Sequence, residues 1–455
     1  MTFGLQDLAF YVITYGCQMN KHDSERVAGM LEAQGAYAVD SLEACDMVIF
    51  MTCCVREAAD VRLYGQVSSL KNVALRKGSP LSKRLVAVGG CIGQRDGEEL
   101  VRALPHVDVV FGTHNLASLP LLLHEAAQRG GHRVEVLDES SAFPTDLPTH
   151  REQPWAAWLP ITIGCNNFCT YCIVPYVRGR EKSRLLEDIA ADAQRYVDAG
   201  VREITLLGQN VNSYGRDLYG EPRFADVLKA VDASGIERLR FATSHPKDLS
   251  DQVISQFATL RSLQPALHLP VQSGSDRVLE AMNRRYTRHH YLRLIDKLRT
   301  AVPDIALSTD VIVGFPGETQ QDFEDTYSLI DQVGYNQVFT FIYSKREGTP
   351  AAKMEDNTPK EVVQQRFDRL VDLVQDHAFA ANQPHLGRTV EVLIEGPSKR
   401  DEGLISGKSP KNQTVHAPVP AGLSAYDLAG KFATVKVDTA RTWYLSGTLD
   451  PESIR

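Results

Sequence analysis

CNNFCTYC, residues Cys165 to Cys172, places three of the chain's eight cysteines in one short loop. It follows an apolar run, Leu159 to Ile163, that reads as a strand, and Gly164 lets the backbone turn sharply after it. Three thiolates from one loop fall short of the four protein ligands that a structural zinc site takes. A cubic 4Fe-4S cluster held by three cysteines instead leaves one iron open to a small molecule, which is what a catalytic cluster needs. A zinc site would have to borrow a distant ligand, and unligated cysteines so clustered on one turn are uncommon. The spacing therefore points to an iron-sulfur cluster with an open iron.

These residues resemble the radical S-adenosylmethionine (SAM) superfamily, whose signature is CxxxCxxC with an aromatic residue, here Tyr171, before the last cysteine. The resemblance implies that Cys165, Cys169 and Cys172 hold a 4Fe-4S cluster whose open iron chelates SAM. One electron then cleaves SAM to a 5'-deoxyadenosyl radical that abstracts a hydrogen atom, so the cofactors carry the hard chemistry.

At 455 residues the chain should divide into two to four domains. Its hydrophobic fraction of 43% and charged fraction of 23% are those of a globular protein. A net charge of -8 argues against gripping nucleic acid by bulk positive charge and leaves room only for a local basic groove. No signal peptide or long apolar span is read in the sequence, so a cytoplasmic protein without membrane contact is expected. So few cysteines in this length fit metal or catalytic thiols in a reduced compartment, with no disulfides.

Upstream of the cluster loop, four buried strands are expected at Phe10 to Tyr15, Met47 to Met51, Leu85 to Val88 and Val107 to Phe111. Helical patterns lie between them at Ser24 to Gln34, Arg56 to Leu75 and Glu98 to Leu104. This alternation predicts an α/β fold with a doubly wound parallel sheet and ligands at the carboxyl ends of its strands. Cysteines stand at those ends: Cys17 in TYGC, Cys53 and Cys54 in MTCC, and Cys91 in VGGC. Free cysteine is also a common core residue, so spacing alone leaves a metal site and core packing both open. TYGCQMNKHDSE, TCCVRE and VGGC resemble the N-terminal domain of the methylthiotransferases, a branch of the radical SAM superfamily. The resemblance implies a second, auxiliary 4Fe-4S cluster on Cys17, Cys53 and Cys91. Cys45 is read as core packing. Two departures stand out: Met51 where the family has Asn, and Cys54 where it has Ser.

A polar, proline-bearing stretch, residues 138–155, reads as a linker between an N-terminal domain (1–137) and a radical SAM domain (156–384). Six strand-helix units are expected in the latter, with strands at Leu159 to Ile163, Glu203 to Leu207, Leu239 to Ala242, Ala266 to Leu269, Ile305 to Val313 and Gln337 to Tyr343. They describe an open (β/α)6 partial barrel with its chemistry in the loops after the strands. The superfamily resemblance implies SAM contacts from Tyr171, Gly208, Gln209, Gln272, Ser273 and Gly314. GFPGET lacks the Gly-Lys-Ser/Thr ending of a phosphate loop. In VRGREKSR, Arg178 and Arg180 are candidates to guide an anionic substrate backbone, against the blander reading of a solvated charged face. Ile163 replaces the Glu that the family has before the cluster, which puts in doubt a supporting carboxylate but not the three ligands.

A long amphipathic helix, Pro359 to about Gln383, precedes five short β-branched runs in residues 385–450. These predict a small antiparallel β-barrel that resembles the TRAM domain, an RNA-binding module. The resemblance to the methylthiotransferases thus spans nearly the whole chain, and TYGCQMN matches the branch that works on tRNA. It implies transfer of a methylthio group to C2 of an isopentenylated adenosine next to the anticodon, with two SAM per turnover. It also implies an electron donor of flavodoxin or ferredoxin type and a monomeric enzyme, and leaves the sulfur donor open. Two alternatives remain: the same chemistry on a threonylcarbamoyl-adenosine or a ribosomal-protein aspartate, and a non-catalytic metal-stabilised RNA-binding protein.

Overall fold

The computed structural model describes residues 4–54, 57–138 and 147–455. Part of the expected linker, residues 139–146, and Val55 and Arg56 of TCCVRE lie outside the described residues. The chain forms two compact units. The first comprises Met1–Glu152, Ile163–Phe168 and Cys172–Lys182, and the second Gln153–Thr162, Cys169–Tyr171 and Ser183–Arg455.

The first unit is built on six parallel strands: β1 (Ala9–Thr14), β2 (Tyr37–Ala38), β3 (Met47–Thr52), β4 (Leu85–Gly90), β5 (Val109–Phe111) and β6 (Arg133–Glu135), in the order β2-β1-β3-β4-β5-β6. The central strands MVIFMT and LVAVGG are buried along their whole length, as befits a parallel sheet covered on both faces. Alternation distributes β3 between two cores: Met47, Ile49 and Met51 join one cluster with Phe10 and Phe111, while Val48 and Phe50 join another with Val86, Val88 and Cys45. Cys45 is thus core packing, and Met51, where the family has Asn, is wholly buried apolar surface. β2 and β6 escaped the sequence reading because two- and three-residue edge strands carry almost no periodic pattern.

In the second unit the open barrel is made of two three-stranded parallel sheets. One orders β11 (Arg238–Phe241), β10 (Glu203–Leu207) and β7 (Ala156–Pro160), and the other β12 (Ala266–His268), β13 (Ala306–Val313) and β14 (Gln337–Ile342). Two short strands, β8 (Thr162–Ile163) and β9 (Lys182–Ser183), flank the cysteine loop. Pro160 ends β7, so the expected run Leu159 to Ile163 is divided between β7 and β8. The long helix spans Lys360–Asn382, and Pro359, which has no N–H to offer the helix, caps its start.

The C-terminal strands β15 (Thr389–Ser398), β16 (Asp401–Lys408), β17 (Thr414–Pro418), β18 (Phe432–Ala440) and β19 (Tyr444–Asp450) close into a barrel. Four of its pairings are antiparallel, but β17 and β19 run parallel, which corrects the all-antiparallel expectation. The reason is arithmetic: directions cannot alternate all the way round a closed ring of five strands. In this unit the barrel packs through Phe432, whose ring has the guanidinium carbons of Arg202, Arg238 and Arg455 at 4.3, 4.7 and 4.5 Å.

Candidate functional site

In an open parallel sheet ligands bind beyond the carboxyl ends of the strands, where the strand order reverses. Here that point lies between β1 and β3. Cys17 follows β1 and starts the helix Gln18–Glu32, Cys53 and Cys54 follow β3, and Cys91 starts the helix Cys91–Asp96 after β4. The thiols meet as two pairs, Cys17 with Cys53 and Cys54 with Cys91. Gly16 (φ +105°) makes the first pairing possible, because a Cβ there would collide with the Cys53 Cβ and lie 2.7 Å from its Sγ.

Arg178 lies among these thiols. It is 6% exposed, and its Nη2 donates to Asn20 Oδ1 (2.8 Å) and Asp23 Oδ2 (3.1 Å). Burial alone would depress its basicity, but the negative potential of Cys91, Asp23 and Cys17 more than offsets this, so Arg178 is a fixed cation. The Cys17 thiol is held low by its hydrogen bond with Cys53, by Arg178 and by the amides of Met19 and Asn20. Cys91 is lowered by its bond with Cys54 and by Arg178, whereas that bond and burial push Cys54 up. Arg178 therefore points inward to sulfur rather than outward to a substrate phosphate. Arg180, two residues on, is exposed, with its guanidinium 4.4 Å above the Phe168 ring.

No three His, Cys, Asp or Glu side chains among the described residues converge on a single metal ion. The donor set is instead one of thiols, none in a disulfide, on adjacent strand ends beside a buried cation, which suits an anionic iron-sulfur cluster better than one divalent ion. Cys165, Cys169 and Cys172 follow Gly164 (φ +72°), where a Cβ would strike the Arg180 carbonyl. Cys165 and Cys169 are buried and Cys172 half-buried. Arg284, absent from the sequence reading, donates from Nη1 to Cys169 Sγ at 3.5 Å.

The carboxyl edge of the β11-β10-β7 sheet carries buried polar atoms without a hydrogen-bond partner: Thr162 Oγ1, Asn210 Oδ1, Ser244 Oγ and His245 Nε2. Burial, with Arg284 and Lys247 nearby, pushes the His245 imidazole well below its ordinary pKa. The Lys247 N–H donates to its Nδ1, so the neutral ring carries its proton on the unpartnered Nε2. Orphaned donors and acceptors at this edge fit a polar ligand such as SAM.

The residues expected to touch SAM divide. Gln209 is half-buried at this edge, and Gly208 is bare because a Cβ would meet Thr162 Oγ1. Tyr171 packs against Val278, Met282 and Phe315. Gln272 adopts φ +71° and bridges to Val311. Ser273 is buried, its hydroxyl hydrogen-bonded with Thr326 and accepting from the Ser275 amide, and Gly314 lies against Val363. These last two have evident structural duties.

Residues 159–330 match the radical SAM superfamily, residues 9–112 the uncharacterized protein family UPF0004, and residues 385–449 the TRAM domain. The chain is 45% identical to a tRNA-2-methylthio-N(6)-dimethylallyladenosine synthase of Thermoanaerobacter sp. (strain X514), over 98% of this chain and 93% of that protein. It is 44% identical to the protein of the same name from Carboxydothermus hydrogenoformans, over 98% and 100%, and 46% identical to that of Kineococcus radiotolerans, over 96% and 87%. Among solved structures, the radical S-adenosylmethionine methyltransferase TsrM of Kitasatospora setae superposes with a TM-score of 0.55 at 12% identity, over 76% of this chain and 77% of that one, a likeness of fold alone.

Proposed function

The chain belongs to the family of tRNA-2-methylthio-N(6)-dimethylallyladenosine synthases, and from that membership we infer that it is a radical SAM methylthiotransferase acting on C2 of isopentenyladenosine next to the tRNA anticodon. The observation that carries this reading is identity near 45% along almost the full chain. The superfamily implies one 4Fe-4S cluster and SAM. We propose Cys165, Cys169 and Cys172 as the ligands of that cluster, and Cys17, Cys53 and Cys91 as the ligands of a second.

When bound, these groups supply the chemistry that an inert aromatic C–H requires: one SAM yields the hydrogen-abstracting radical, and a second yields the methyl group carried on sulfur. The protein's part is placement. Arg178 neutralises thiolates of the first unit, held in place by Asn20 and Asp23. Thr162, Asn210, Ser244 and His245 offer the polar contacts that SAM needs, with Gln209 at the same edge, and Gln272 and Tyr171 stay proposed as further contacts. Arg180 remains available to a phosphate backbone. The C-terminal barrel supplies exposed Trp443 and Tyr444 for tRNA. A monomeric, cytoplasmic enzyme reduced by a flavodoxin or ferredoxin completes the proposal. No described helix is long and apolar enough to cross a membrane.

The test is mass spectrometry of nucleosides from tRNA that carries isopentenyladenosine but no methylthio group, after incubation with reconstituted enzyme, SAM and reductant. A methylthio adduct on that nucleoside is expected. Modification only of threonylcarbamoyl-adenosine or of a ribosomal-protein aspartate would overturn the substrate assignment.

A further inference from the structure

Arg284 is the most completely buried cation in the second unit that has no carboxylate partner among the described residues. It is 5% exposed, and its three nitrogens donate to Cys169 Sγ (Nη1, 3.5 Å), the Pro270 carbonyl (Nη2, 2.8 Å) and the Tyr286 hydroxyl (Nε, 3.0 Å). Tyr286 in turn donates to the Val271 carbonyl at 2.7 Å. The turn that carries Arg284 is strained on either side, with Asn283 at φ +56° and Arg285 at φ +55°. It also grips the residue after Cys169: the Thr170 amide donates to the Met282 carbonyl (3.1 Å), and its hydroxyl to the Ala281 carbonyl (2.8 Å).

A buried guanidinium that meets only neutral acceptors is costly unless an anion completes its surroundings. The one anionic candidate at its tip is Cys169. We propose that Arg284 is the built-in counter-charge of the Cys165, Cys169, Cys172 cluster: a positioning residue that fixes the Cys169 sulfur and raises the cluster's reduction potential. Reduction adds one negative charge to the cluster, and a fixed cation hydrogen-bonded to a ligand sulfur favours the reduced form. The inference rests on the cluster assignment above.

The test uses the full-length chain with Cys17, Cys53 and Cys91 replaced by Ala, reconstituted so that a single cluster is titrated. Its midpoint potential, followed by electron paramagnetic resonance, is compared with that of the same chain carrying Arg284→Met or Arg284→Lys, alongside iron content. Arg284→Met is expected to disfavour one-electron reduction at least about tenfold, a shift of roughly 59 mV to more negative potential. Arg284→Lys, which keeps the charge but loses the fork, should fall between. Iron-loaded variants that keep the parent's potential would overturn the inference. If Arg284→Met fails to fold or to hold iron, Arg284→Lys decides by the same criterion. A parent that binds no iron would overturn the cluster assignment itself.

Discussion

Gly16→Ala should remove one cluster and spare the other. At φ +105° an alanine costs roughly 1–2 kcal/mol in backbone strain. Its Cβ would sit 2.2 Å from the Cys53 Cβ and 2.7 Å from its Sγ, so Cys53 must retreat by about an ångström or more, and overpacking of that kind costs roughly 1–3 kcal/mol more. A total of about 2–5 kcal/mol falls within the 5–15 kcal/mol that typically holds a domain together, so the unit should still fold. Its thiols would no longer meet. Iron and sulfide per chain, after anaerobic reconstitution, should fall from about eight to about four. Release of 5'-deoxyadenosine without tRNA should persist, because the Cys165 loop is untouched. Gly65→Ala is the control: it lies in the helix Glu57–Ser69 with nothing within 4 Å of a new Cβ and should change neither quantity. Retention of about eight irons by Gly16→Ala would refute the assignment of Cys17 and Cys53 as ligands.

Three further outcomes are expected. Burial lifts the Glu25 carboxyl to about 7, even though its Oε1 accepts from the Glu152 amide at 3.2 Å. The folded state therefore binds the extra proton, and stability falls as pH rises from 4.5 to about 7; Glu25→Gln should flatten this and gain roughly 1–3 kcal/mol at pH 8 in urea titrations, with no gain near pH 4. Trp443 and Tyr444 are 53% and 40% exposed at the start of β19, and Tyr444 meets His416 edge to face at 5.5 Å; alanine at either should weaken tRNA binding about tenfold to a hundredfold, with SAM affinity unchanged. Phe432→Leu strips the aromatic face from three guanidiniums and should cost roughly 1–3 kcal/mol, read as a lower melting temperature.

Much of this architecture is legible because burial on both faces writes continuous apolar runs such as MVIFMT and LVAVGG, and because cysteines stand just past them. The cysteine spacing also marks the site of Cys165, Cys169 and Cys172, since one loop supplies all three thiols. What stays hidden is set by long-range contact. Nothing in VRGREKSR distinguishes the buried Arg178 from the exposed Arg180; Asn20 and Asp23, more than a hundred residues upstream, draw the former inward. Cys54 beside Cys91 is likewise invisible until β3 and β4 pair. Arg284 could have been suspected from the basic and aromatic run NRRYTR, but its approach to Cys169 depends on the turn that precedes it.

The most direct measurement is the iron and sulfide content of the wild type and of Cys165→Ala/Cys169→Ala/Cys172→Ala after anaerobic reconstitution, with 5'-deoxyadenosine release on adding SAM and dithionite. About eight irons in the wild type and about four in the variant, with the adenosyl product lost, is the predicted result for two clusters on three cysteines each. About four irons in the wild type and almost none in the variant would contradict it, leaving Cys17, Cys53 and Cys91 as thiols without a cluster.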